Sequence, residues 1–164
     1  MPVIPGEQAI ATILKHDNKT TSYKIALLRA INDVVLLYPD MVRQGQSVAV
    51  PLIRLAELWV AYYWPFADAQ YPIYQGARAI RDEVPRNDVA FRPALAHLRA
   101  AWQPLVQLPP QPADGFFLLT EMRTPRRRVT YLTALKQVYR QTVAATAKAI
   151  QMPIEARTDT GPTN

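Results

Sequence analysis

The sequence predicts a mainly α, single-domain bundle of about five helices, with proline-rich loops and room for one short strand pair. Long segments carry apolar residues at helical spacing, and prolines stand near their ends. The chain has 164 residues, 49% of them hydrophobic, which suits one core and argues against global disorder. We expect an N-terminal arm at 1–18, a helical domain at 19–152, and either a tail or the start of a missing C-terminal module at 153–164.

The most apolar segment, residues 20–38, predicts a helix buried inside the domain, because only a narrow polar stripe interrupts it. Thr20 or Thr21 is the expected N-cap, and the helix should end before Pro39. In the arm before it, residues 7–15 fit a short helix with an apolar stripe.

The second helix should run from Pro51, which suits a first helical position, to about Trp64. It contains most of a dense aromatic cluster, Trp59, Tyr62, Tyr63, Trp64 and Phe66. Helical spacing favours packing of this cluster in the core. The alternatives are an exposed face that docks a protein or stacks on bases.

In the C-terminal half, residues 77–84 predict one or two helical turns, and a third helix should end at Trp102. Arg92 and Arg99 share one face of it, which we interpret as solvated. Residues 115–122 fit a buried strand as well as a short helix.

The last helix should run from about Thr130 to Ile150, and Pro153 should stop it. Its predicted inner side is traced by an apolar and threonine series: Leu132, Leu135, Val138 or Tyr139, Thr142, Thr146 and Ile150.

The net charge of +6 lies entirely in residues 71–164, which hold thirteen Lys/Arg and seven Asp/Glu. Eleven of the fourteen arginines are there, and arginine suits bidentate contacts with phosphate. An asymmetric, arginine-rich half favours a polyanionic partner such as nucleic acid, although a basic surface also serves solubility.

Two clusters are candidate phosphate sites. The first surrounds the arginine run before the last helix and continues on that helix's outer side: Arg123, Arg126, Arg127, Arg128, Lys136 and Arg140. The second lies at the start of the apolar helix: Lys19, Thr20, Ser22 and Lys24. The alternatives are a solvated charge run for the first cluster and ordinary capping for the second.

The residues indicate no catalytic constellation. The two histidines, His16 and His97, are far apart, the carboxylates are scattered and the five glycines form no phosphate loop. There is no cysteine, so disulfides and thiolate metal sites are excluded. We therefore predict no metal and no cofactor in this chain. The N-terminus lacks the charged and apolar regions of a secretory signal, so a cytoplasmic protein is expected.

Three segments together resemble the N-terminal region of bacterial HNH endonuclease domain proteins of the restriction or phage-defence type. They are HDNKTTSYKIALLRAIND, VPLIRLAELWVAYYWPF followed by PIYQG, and DGFFLLTEMRTPRRRVTY. In that family a C-terminal module carries the metal-binding residues, and a divalent metal is expected only there. This chain ends at Asn164 without such a module, so the resemblance carries over no catalytic residue.

The resemblance and the charge together imply a non-catalytic domain that engages DNA. The alternative is a protein-interaction module that docks a nuclease domain or a partner chain through residues 59–66. The sequence leaves the oligomeric state open.

Overall fold

The computed structural model describes residues 22–41, 48–74, 80–81, 84–85, 89–106 and 109–155. In this part of the chain there are six α-helices: α1 (Tyr23–Leu37), α2 (Leu52–Tyr62), α3 (Arg92–Trp102), α4 (Asp114–Arg123), α5 (Pro125–Arg128) and α6 (Thr133–Glu155). Short 3₁₀ segments follow three of them: Pro39–Met41, Trp64–Ala67 and Gln103–Leu105. Strands β1 (Ile80–Arg81) and β2 (Val84–Pro85) pair antiparallel. The predicted mainly α fold is confirmed.

The centre of the core is α2. It packs against α1, α4 and α6, and α6 also packs against α3. Trp59, Val60 and Ala61 are each 1% exposed, so α2 is covered on several sides. The aromatic cluster is therefore core, as the helical spacing favoured. Trp59, Tyr63 and Trp64 are buried, and Phe91 joins them at 5.2 Å from the Tyr63 ring.

The prediction that α1 is a buried rod is wrong. Its buried residues are small, Ala26, Ala30 and Val34. Five large aliphatic side chains are exposed instead: Ile25, Ile31, Val35, Leu36 and Leu37. The polar stripe partly faces α2, where Tyr62 donates a 2.7 Å hydrogen bond to Asp33. Small side chains let the α1 backbone approach α2, whereas its large residues project from the edge of the bundle.

Residues 114–123 form a helix, α4, which resolves the strand-or-helix alternative. Gly115 marks its closest approach to the core. A Cβ atom at this position would lie 2.7 Å from Trp64 Cβ and 3.0 Å from Ala61 Cα. The helix can reach this depth only because the residue has no side chain.

Arg99 lies in the interior, so the prediction of a solvated face on α3 is wrong. Its side chain forms an ion pair with Asp68, donates a 2.9 Å hydrogen bond to the Trp64 carbonyl and is 9% exposed. Asp68 also accepts the backbone N–H groups of Gln70 and Tyr71. The Tyr71 N–H is the main cause that lowers the pKa of Asp68, and Gln70 and Arg99 add to it.

Three further predictions are corrected. Residues 80–81 and 84–85 are strands, because a cross-strand pairing replaces the predicted turns. Helix α6 begins at Thr133 and continues through Pro153 to Glu155. Leu132 is 70% exposed because it precedes the helix, whereas Leu135, Tyr139 and Ile150 are buried as expected.

No helix in the described part of the chain combines the length and the hydropathy needed to cross a membrane.

Candidate nucleic-acid interface

The arginine run lies in its own helical turn, α5, and not directly at the start of α6. Thr124 is extended, with φ −88° and ψ 111°, because a proline follows it. Pro125 then opens α5, and residues 129–132 separate α5 from α6. The arginine charges therefore add less to the positive potential at the N-terminal end of α6 than the sequence predicted.

Two arginines of the predicted site are committed to carboxylates. Arg123 Nε lies 2.9 Å from Glu57 Oε2, with its side chain 19% exposed, and Arg54 Nη1 lies 3.1 Å from the same oxygen. Arg127 Nη1 lies 2.7 Å from Glu121 Oε1, and the Tyr131 hydroxyl donates to the other oxygen at 3.2 Å. These two arginines thus anchor α4 and α5 to the domain.

Four cations of this site remain, and we call them the α5–α6 cation cluster: Arg126, Arg128, Lys136 and Arg140. Lys136 is half-buried and the three arginines are exposed. None of the four forms an ion pair with another described residue. Their charge is therefore available to an external anion.

Three members of the cluster line two adjoining cavities. A cavity of about 340 Å³ is lined by Arg128, Val129, Thr133, Lys136, Gln137 and Arg140. A second one, of about 200 Å³, reaches inward between α2, α4 and α6. It is lined by Ile53, Glu57, Met122, Arg128, Lys136, Tyr139, Arg140 and Val143. Cations thus line the opening of these cavities, and core residues line the inner one.

Two buried polar atoms near Glu57 have no hydrogen-bond partner among the described residues: Tyr139 Oη and Arg123 Nη2. Tyr139 is 7% exposed. Burial raises the pKa of its phenol, and the Glu57 carboxylate adds to the shift. The hydroxyl therefore stays protonated and can donate at neutral pH.

Of the second predicted site, Lys19 and Thr20 lie outside the described residues. The Ser22 hydroxyl lies 2.5 Å from the Tyr63 hydroxyl, and Lys24 is half-buried. Tyr63 follows the C-terminal end of α2, whereas the cavity at the cation cluster includes Ile53 in its first turn. The ten residues between them span about 15 Å along a helix, so Ser22 does not lie beside the cation cluster.

A third cavity, of about 700 Å³, lies between residues 67–74 and α3. Its two arginines are committed to the protein. Arg99 pairs with Asp68, and Arg92 donates to the carbonyls of Phe66 and Ile73. This cavity is less suited than the cation cluster to an anionic ligand.

A family model described as Domain of unknown function (DUF8808) matches residues 5–161. The chain belongs to this family. No curated protein and no solved structure matches it. The description of the DUF8808 family names no activity, so the resemblance to HNH endonuclease proteins stays a prediction.

For this DUF8808 member, sequence reasoning missed the residues that divide the arginines into two groups. Glu57 and Glu121 lie on α2 and α4 and neutralise Arg123 and Arg127. Glu57 interrupts an otherwise apolar helix face, which could have signalled a buried partner. Tyr139 was assigned to the inner side of its helix, but nothing in the spacing indicated an unpartnered hydroxyl.

Metal binding was not expected here. Within the described ranges, no group of three or more His, Asp or Glu side chains could hold a metal ion. His97 is exposed on α3, and His16 lies outside the described residues.

Proposed function

We propose that this chain is a non-catalytic, DNA-engaging N-terminal domain of an HNH-type restriction or defence endonuclease. The α5–α6 cation cluster supports the proposal, because its four cations have no carboxylate partner in the described part of the chain and three of them, Arg128, Lys136 and Arg140, line the same two cavities. Such a surface attracts the phosphate backbone and releases counterions. A cytoplasmic location suits this role, and a divalent metal would belong to the nuclease module.

The cluster would position the domain on DNA without reading its sequence. Arginine and lysine contacts with phosphates fix register and orientation but carry no base information. The anchored pair, Arg123 and Arg127, would hold α4 and α5 in place beneath the contact surface. Sequence or site preference would then come from another part of the parent protein.

The test is binding of the purified chain to a duplex across a salt series, with the double variant Arg126→Gln/Arg128→Gln. Arg127 is kept, because its removal would leave the buried Glu121 carboxylate without its ion pair. We expect the slope of log K against log salt to fall by about 2, roughly one unit for each lost phosphate contact.

A matched pair on α6 provides the control. Arg140 and Lys148 are both exposed and carry the same charge, but Lys148 lies eight residues further along, about 12 Å away. Arg140→Gln should weaken binding more than Lys148→Gln. An affinity that is independent of salt and of the double substitution would refute DNA engagement through this cluster.

The alternative was a module that docks a nuclease domain or a partner chain through residues 59–66. Trp59, Tyr63 and Trp64 are at most 2% exposed, and Tyr62 and Phe66 are half-buried, so the cluster offers little aromatic surface to a partner. No other observation favours this alternative over DNA engagement.

A further inference from the structure

We propose that the inner cavity between α2, α4 and α6 binds a phosphate monoester, and that Tyr139 donates a hydrogen bond to it. In DNA the corresponding group is the terminal phosphate of a strand. That DNA supplies the phosphate rests on the proposed function. The cavity itself, with its buried hydroxyl and surrounding cations, is independent of that function.

The size of the cavity suits one such group. Its volume is about 200 Å³, whereas a single buried water needs only about 10–15 Å³. A tetrahedral oxyanion of several atoms therefore fits, with space left for the atom that links it to a larger molecule.

The charge around the cavity favours a dianion. Arg128, Lys136 and Arg140 line it, and the one carboxylate in its lining, Glu57, is already paired with Arg123 and Arg54. Three cations are thus left to face the ligand. Charge-assisted hydrogen bonds from arginine to phosphate are among the strongest available to a protein.

The buried donors distinguish a site of this kind from a solvated basic surface. Tyr139 is more than nine-tenths buried, lines the cavity and has an Oη without a partner in the described part of the chain. A buried hydroxyl left unpaired costs free energy, which a phosphate oxygen would recover. Arg123 Nη2, next to Glu57, is also buried without a partner among the described residues, although Arg123 does not line this cavity.

The depth of this hydroxyl explains the preference for a monoester. An internal phosphodiester continues into the nucleic-acid chain on both sides, so it is held at the surface, beside exposed Arg126 and Arg128. A terminal phosphate is attached on one side only and can enter the cavity. The site would then recognise strand ends in addition to attracting the backbone.

The experiment uses three DNA duplexes of one sequence: a closed dumbbell without ends, a linear duplex with hydroxyl ends, and the same duplex with phosphorylated ends. We expect the phosphorylated ends to bind about tenfold tighter than the hydroxyl ends, in line with hydrogen bonds to a charged group. Tyr139→Phe should abolish this preference, so that both linear duplexes bind it with the same affinity. Tyr71→Phe, at an 80% exposed site, is the control.

A titration with inorganic phosphate at constant ionic strength identifies the source. Saturable phosphate binding supports the cavity as the site if Tyr139→Phe and Lys136→Gln weaken it and Lys148→Gln does not. If the DNA ends show no preference in that case, the ligand of the cavity is a small phosphate compound. No saturable phosphate binding together with equal affinity for both linear duplexes overturns the inference. If the dumbbell still binds with a salt dependence, the proposed function survives that result. If no duplex binds, the proposed function fails independently of the phosphate titration.

Discussion

At the scale of single residues, Gly115 is the position where a side chain is least tolerated. An added Cβ would lie 2.7 Å and 2.9 Å from Trp64 Cβ and Cγ, and Trp64 is fully buried. We expect Gly115→Ala to lower the free energy of unfolding by about 1–3 kcal/mol, because the rigid neighbours must shift. Urea unfolding followed by circular dichroism measures the change.

Thr120→Ala is the matched control for Gly115→Ala, since it alters an exposed position on the same helix. Its hydroxyl bonds only to the Phe116 carbonyl within α4. The change in stability should stay within about 0.5 kcal/mol. Equal effects of the two substitutions would show that α4 does not approach Trp64 as closely as the structure has it.

At the scale of elements, α1 shows that a highly apolar helix can lie at the edge of a bundle. Its inner side is made of small residues, and its outer side keeps Leu36 71% exposed. Val34→Ala should destabilise the protein by about 2 kcal/mol, because Val34 is 2% exposed and packs in the core. Leu36→Ala should cost less than about 0.5 kcal/mol.

The same unfolding measurement compares the two α1 variants. A loss at Leu36 as large as that at Val34 would mean that the outer side of α1 is covered in solution. The larger residue would then be the more costly one to truncate, which is the opposite of the expected order.

At the scale of the whole molecule, buried tyrosines make the stability of the fold depend on pH in alkaline solution. Burial raises the pKa of Tyr62, Tyr63 and Tyr139, and the hydrogen bond from Tyr62 to Asp33 adds to the shift at Tyr62. A tyrosine whose pKa is raised in the folded state contributes stability that is fully present below its unfolded-state pKa of about 10. This stability is lost as the pH rises above that pKa. The free energy of unfolding should therefore fall above about pH 10.

Tyr139→Phe should make this alkaline decline shallower, as measured by urea unfolding at pH 8 and above pH 10. At pH 8 it should not destabilise the protein, because the hydroxyl it removes is buried without a partner among the described residues. Tyr71→Phe, at an exposed position, is the reference. A decline equally steep in both variants would contradict the role assigned to Tyr139.

The arginines illustrate how much of the candidate site was predictable. The run at residues 126–128 is visible in the sequence, and Arg128, Lys136 and Arg140 do line the same cavities. The sequence could not separate them from Arg123 and Arg127, because the carboxylates that bind these two lie on other helices: Glu57 on α2 binds Arg123 of α4, and Glu121 on α4 binds Arg127 of α5. A pairing across 66 residues depends on how the helices cross.

The sequence alone determined the helical fold, the core role of the aromatic residues and the basic C-terminal half, since spacing, proline positions and charge are local properties of the chain. Only the tertiary structure decided which helix is central. It is α2, which packs against α1, α4 and α6, and small residues let α1 and α4 approach it closely. It also decided which cations are neutralised and which meet at a cavity. Those outcomes depend on distances between elements, which no local pattern encodes.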